Sequence, residues 1–136
     1  MSKNRESLVS LHRYYFWANK MRKHFFDLLA NKDNIDEVKY DIETFMYMSL
    51  WYALLYTVIE GWQELKLNDA NIDSLLLEEE NIHSLKMYRN GAFHFQKDYD
   101  SRKFRELDQN IEAADWMTNL NREFGRFFIQ ELTPNN

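Results

Sequence analysis

Sharp turns are scarce in this chain. Its only proline is Pro134, near the tail, and its glycines are Gly61, Gly91 and Gly125. A chain of 136 residues with so few turn-forming residues must travel in long regular segments joined by short polar breaks. No Pro/Gly/Ser-rich linker divides it, so the expectation is one domain over 1–136, long enough to bury roughly two-thirds of its unfolded surface.

The segments read as helices, because their apolar residues recur every three to four positions. The first is expected over 4–31, with Leu8, Leu11, Tyr15, Ala18, Phe25 and Leu29 on one stripe. The second, over 41–65, uses Phe45, Met48, Tyr52, Leu55, Ile59 and Trp62, and its apolar density makes it the most buried of the set. Asp69 or Asn71 can cap a short helix through Leu77. A third long helix over 82–96 keeps Ile82, Leu85, Tyr88, Ala92 and Phe95 inward, and Ser101 can cap one turn around Phe104 to Leu107. The last helix, over 110–132, points Ile111, Ala114, Met117, Leu120, Phe124, Phe127 and Phe128 inward. No alternating pattern competes with these assignments. The fold class is therefore all-α, an antiparallel bundle of four long helices plus one or two short ones.

The absence of cysteine excludes a disulfide framework and thiolate metal sites. The charged first twenty-odd residues lack the apolar run of a signal peptide. The apolar-rich stretch 45–59 ends at Glu60 and reads as too short for a membrane span. A cytoplasmic protein with no membrane partner is expected. The net charge of −5 is unevenly spread. Residues 1–24 carry +5, 25–85 carry −10, 86–105 carry +4 and the remainder −4. The +4 block holds Lys86, Arg89, Lys97, Arg102, Lys103 and Arg105 against Asp98 and Asp100. It is a basic island on an acidic protein, as a local phosphate-binding surface requires, although charge blocks also decorate solvated faces.

Inside that island lies Arg89-Asn90-Gly91-Ala92-Phe93-His94. The eight arginines, thirteen asparagines and four histidines of the chain give about 0.02 chance occurrences of Arg-Asn-x-x-x-His. A fixed cation, an amide and a titratable base within six residues form a minimal set for phosphodiester cleavage. On a continuous helix Asn90 and His94 would share a face, with Arg89 about 100° round from Asn90. One copy supplies a single base and a single cation. Two copies meeting across a two-fold axis would let one histidine activate a ribose 2′-OH while the other protonates the departing 5′-oxygen, with the arginines clamping the phosphate. That chemistry needs no metal or other cofactor.

An arginine followed by a polar residue, with a histidine four to six positions after the arginine in a small all-α bundle, resembles the HEPN superfamily. Arg89, Asn90 and His94 match the three characteristic positions, and the helix order is compatible across nearly the whole chain. The resemblance implies a metal-independent endoribonuclease of a toxin–antitoxin or phage-defence system, with a composite site between two copies of the chain and an antitoxin protein as a further partner. Arg89 would clamp the phosphate, His94 would act as general acid and base, and Asn90 would orient one of them or the phosphate. Lys86, Lys97, Arg102, Lys103 and Arg105 would guide the RNA backbone. Glu60 resembles the acidic residues with which some members orient the motif arginine. Members paired with a nucleotidyltransferase antitoxin tend to carry tyrosine two residues after the histidine. That position here is Gln96, so regulation by nucleotidylation of that tyrosine is not expected.

Other readings stand beside this one. His94, between Phe93 and Phe95, also fits a core histidine with one satisfied hydrogen bond. Arg89 also fits a structural bridge to Glu60 or Glu64. Gly91, which costs a helix about 1 kcal/mol against alanine, marks a close backbone approach to a neighbouring helix or to a ligand. Glu80-Asn-Ile-His83 is half of a di-iron bundle signature without its second copy. The stretch 12–20 is similar to the first helix of DinB-type bundles, which hold a metal with histidines from several helices; the second helix here has none. The alternative functions are a non-catalytic HEPN-like module that binds a nucleotide or protein, and a helical interaction protein whose acidic middle meets a basic partner.

Overall fold

The computed structural model describes residues 2–108 and 111–134, without the side chains of Glu106, Asp108 and Ile111. The two longest helices start on side-chain caps. Ser2 Oγ accepts from the Arg5 N–H at 3.2 Å, and Asp36 Oδ2 from the Lys39 N–H at 3.1 Å, each satisfying a donor that the first helical turn leaves open. From these caps α1 runs over Lys3–Ala30 and α2 over Glu37–Glu64, joined through a single 3-10 turn at Lys32–Asn34. α2 starts four residues before the expected 41. Its opening turn leaves Val38 exposed rather than on the inward stripe, and the Asp36 cap sets the boundary.

α3 spans Ala70–Leu75. Asp69, not Asn71, caps it, its Oδ1 accepting from the Asn71 and Ile72 N–H groups at 3.0 Å each. α4 covers Glu79–Phe93, α5 Arg102–Asp108 and α6 Ile111–Leu132. Ser101 Oγ accepts from the Lys103 N–H at 3.2 Å, as the expected cap of α5. Among the described residues there is no strand, so the chain is an all-α bundle of four long helices, α1, α2, α4 and α6, with short α3 and α5 between them.

Side-chain contacts give the helix directions. His24 stacks on Tyr47 and Phe26 lies against Trp51, while Leu11 sits where a side chain on Gly61 would go, so α1 and α2 run antiparallel. Asn19 meets Asn121 and His12 meets Phe128, so α6 runs antiparallel to α1. α4 lies on another side of α2, where Tyr88 packs edge-on to Tyr52 at 5.2 Å.

The core holds the expected Leu11, Ala18, Tyr52, Leu55, Ile59, Trp62, Leu85, Tyr88, Met117, Leu120, Phe124, Phe127 and Phe128. Three expected inward residues are exposed. Leu29 lies in the last turn of α1. Ala114 faces solvent because α6 turns Ala113 inward instead. Phe95 lies beyond the end of α4. The expected start of the last helix at Asn110 and the inward Ile111 side chain lie outside the described residues. By length and composition α2 is the one described helix that could cross a membrane, longer than the 45–59 stretch implied, and 44% of its most apolar window is buried within the bundle.

One polar chain, buried at its Trp51–Asn121 end, ties three long helices together. Trp51 Nε1 donates to Asn121 Oδ1 at 3.1 Å, Asn121 Nδ2 donates to Asn19 Oδ1 at 3.1 Å, and Arg22 Nε donates to the same Asn19 oxygen at 3.0 Å. Asn121 is buried, so removing its amide strands the Trp51 indole N–H away from water. Asn121→Leu, close in shape but without the amide, is expected to lower unfolding stability by about 1–3 kcal/mol, read from urea denaturation. A change within 0.5 kcal/mol, roughly that of an ordinary surface substitution, would show that the chain of amides does not hold the helices together.

Candidate functional site

α4 carries the Arg-Asn motif and stops before its histidine. The helix runs over Glu79–Phe93, and His94 takes an extended conformation at φ −120°, ψ 127°. The expected helix over 82–96 is thus displaced by three residues at each end, and Asn90 and His94 do not stack on one helical face. Glu79 and Glu80 occupy the first turn, where negative charge complements the helix dipole.

At the other end, side-chain hydrogen bonds replace helical ones. The His94 N–H still donates to the Asn90 carbonyl at 3.0 Å. The His94 carbonyl then accepts from Gln96 Nε2 at 2.7 Å, and Gln96 Oε1 accepts from Ser101 Oγ at 2.9 Å. Gln96 therefore ties the backbone of His94 to the residue that caps α5, a local bond network that competes with further helix. Apolar periodicity carries no trace of such a bond.

Arg89 is held on three sides. Its Nη1 donates to Glu60 Oε1 at 2.6 Å, its Nε and Nη2 donate to Asn90 Oδ1 at 3.3 and 3.1 Å, and its guanidinium carbon lies 4.6 Å from the Tyr56 ring centre. The bridge weighed in the sequence is made to Glu60, in the last turn of α2. A guanidinium has five N–H donors. Three are used here, leaving one on each Nη for an anion. The neighbouring Glu60 carboxylate offsets the arginine charge, so an incoming phosphate must compete with it.

Tyr56 had no sequence signal beyond its place on α2. Burial pushes its phenol pKa up, the Glu60 charge pushes it further, and Arg89 pulls it down by less. The phenol therefore stays protonated through neutral pH and serves as a packed aromatic face beneath the arginine.

Gly91 answers to a neighbouring helix. A Cβ there would meet the Phe104 ring at 2.8 Å and Lys103 Cβ at 3.2 Å. This close approach seats α5 on α4 and brings the backbones of Arg102, Lys103 and Arg105 against the motif helix. Lys86 on α4, Lys97 in the loop, and Arg102 and Arg105 are exposed, with Lys103 half-buried.

His94 is exposed, so it is not the core histidine that its phenylalanine neighbours allowed. Among the described residues no hydrogen bond or ion pair reaches its imidazole. The structure thus joins Arg89 to Asn90 through side chains, and Asn90 to His94 through the backbone alone.

A groove of about 540 Å³ between the start of α1 and the end of α2 is lined by Glu6, Tyr14, Thr57, Glu60 and Glu64 among others, and shares only Glu60 with this cluster. Among the described residues no group of three or more His, Asp or Glu is placed to hold a metal ion. Comparison with protein families, with curated proteins and with solved structures finds no match for the chain.

The side chains of Arg89 and Glu60 are 24% and 46% exposed. Such a pair contributes about 0–1 kcal/mol. Glu60→Gln is therefore expected to shift the urea midpoint by an amount corresponding to less than about 1 kcal/mol. A loss above 2 kcal/mol, well beyond an exposed pair, would mark Arg89 as a structural strut between α2 and α4.

Proposed function

We propose that the chain is a metal-independent endoribonuclease that acts as a homodimer, with Arg89, Asn90 and His94 of each copy in one composite site. The observation that carries this reading is a solvent-exposed histidine one backbone hydrogen bond from an arginine–asparagine pair. The guanidinium of that pair is oriented and retains two donors. In the proposed step the imidazole of one His94 takes the proton of a ribose 2′-OH. The 2′-oxygen attacks phosphorus, and the 5′-oxygen leaves with a proton from the partner's His94, giving a 2′,3′-cyclic phosphate and a 5′-hydroxyl. Arg89 binds the non-bridging oxygens, whose charge grows in the transition state. Lys86, Lys97, Arg102, Lys103 and Arg105 guide the RNA backbone. A cytoplasmic toxin–antitoxin or phage-defence system, with an antitoxin protein as partner, is the setting that the HEPN resemblance implies.

The contact between Arg89 and Glu60 favours a second reading, because it spends part of the arginine charge before any ligand arrives. Under it the chain is a non-catalytic module whose cluster binds a nucleotide or a protein.

Cleavage in EDTA separates the two. Wild type is expected to cut a single-stranded RNA and leave a cyclic phosphate end, while the same oligonucleotide with 2′-deoxyribose stays intact. His94→Ala is expected to abolish cutting without changing the oligomeric state, and Arg89→Ala to slow it by about 10²–10³-fold. Equal cutting by wild type and His94→Ala would defeat the nuclease reading. An oligonucleotide bound by wild type, released by Arg89→Ala and never cut would establish the binding module.

A further inference from the structure

Three aromatic rings flank His94 and face solvent. Phe93 is 58% exposed, Phe95 94% and Tyr99 84%. α4 ends at Phe93, and the extended turn at His94 throws Phe95 off the helical line, so that ring makes almost no packing contact with its own chain. Tyr99 leans on Phe45, with ring centres 6.1 Å apart, and leaves its other side open. Scattered surface apolar residues need no explanation. Three within seven positions, bracketing the one exposed titratable side chain of the motif, are a different matter.

The charge around them is positive. Lys86, Lys97, Arg102, Lys103 and Arg105 stand against Asp98 and Asp100 within 86–105, and Glu60 offsets Arg89. Gln96 braces the loop from within by bridging His94 and Ser101, which holds Phe95 and Lys97 on a tied backbone. Flat rings interleaved with cations are what an unpaired nucleic acid strand needs. Each base has a face to stack, each phosphate a charge to meet, and neither contact requires a particular sequence. A duplex keeps its base faces stacked inside and offers them to no ring.

We infer that Phe95 and Tyr99 form a base-stacking subsite beside His94, which restricts the site to unpaired RNA and sets the bond cut relative to the stacked bases. The inference rests on the ribonuclease reading for what happens next, but not for binding. Phe95 supplies most of the stacking surface, and Tyr99 supplies a second platform braced by Phe45. Lys97 lies between them in sequence and meets the backbone phosphate.

The test uses the full chain and a fluorescent single-stranded 2′-O-methyl RNA of mixed sequence, which lacks the attacking hydroxyl and cannot be cut. The matching blunt duplex serves as comparator, and affinity is read by anisotropy over a range of salt concentrations. The single strand is expected to bind at least tenfold tighter than the duplex. Phe95→Ala and Tyr99→Ala should each weaken it by about fivefold or more, with the slope of log affinity against log salt unchanged. Phe95→Trp should restore binding and Phe95→Leu should not. Lys97→Ala should instead flatten the salt slope by about one.

Equal affinity for strand and duplex would overturn the subsite, as would a Phe95→Ala affinity within twofold of wild type. Conversion of a dimer to a monomer by Phe95→Ala would assign the ring to a protein contact and overturn it too. The outcome is independent of catalysis. Strand binding with the expected Phe95 dependence, but no cutting of the 2′-hydroxyl RNA, defeats the ribonuclease reading alone. Cutting that is indifferent to Phe95→Ala defeats the subsite alone.

Discussion

α2 has to bury different faces against different helices at once, and the rest of the molecule is arranged around that requirement. Toward α1 and α6 it offers Trp51, which meets Phe25, Phe26 and Asn121, and Trp62, which meets Phe124 and Phe127. Toward α4 it offers Tyr52 and Tyr56. Burying one such side chain contributes about 1.5–3 kcal/mol, several times an exposed ion pair. Packing therefore decides where α2 and α4 lie, and the Arg89–Glu60 contact follows from that placement. Glu60, on the exposed side of the last turn of α2, arrives beside Arg89 because Tyr88 and Tyr52 have already docked the two helices.

The same ordering of energies bears on the proposed chemistry. Groups that contribute little to stability are free to exchange partners, and the arginine holds its acid through a half-exposed contact that water and salt weaken. Tyr56 and Asn90 contact the guanidinium independently of Glu60, and in the proposed chemistry these two contacts would orient the cation for an arriving phosphate. His94 stands outside the packed region altogether, on a backbone tied by Gln96 rather than by helix. The most deeply packed residues and the candidate reactive residues are thus adjacent but separate sets, Tyr88 on one side of a single peptide bond and Arg89 on the other.

Much of this is legible in the order of residues. The long helices and most of the core follow from apolar spacing, because a helix buries a stripe and the stripe shows in the residue order; the turns between them and the Ser101 cap follow from polar breaks and residue type. The errors have a common origin. Phe95 is apolar and correctly spaced, yet it lies outside α4, since a helix ends where competing hydrogen bonds outbid the next turn, and periodicity is blind to them. Ala113 and Ala114 are interchangeable to a pattern, and only the angle at which α6 meets its neighbours selects one. Tyr56 and Gln96 were missed as parts of the site because their roles are set by residues tens of positions away or by a side-chain bond within a loop.

The sequence by itself determined that the chain is all-α, built from long helices joined by short polar breaks, and that Arg89, Asn90 and His94 are grouped on a basic island, because spacing and composition are local properties. Tertiary structure alone decided which acid meets Arg89, that Gly91 makes room for α5 rather than for a ligand, and that His94 and Phe95 face water instead of the core. Those outcomes depend on how helices cross and where each stops. Both are settled by the burial of α2 and by a handful of side-chain hydrogen bonds, and neither leaves a periodic mark in the order of residues.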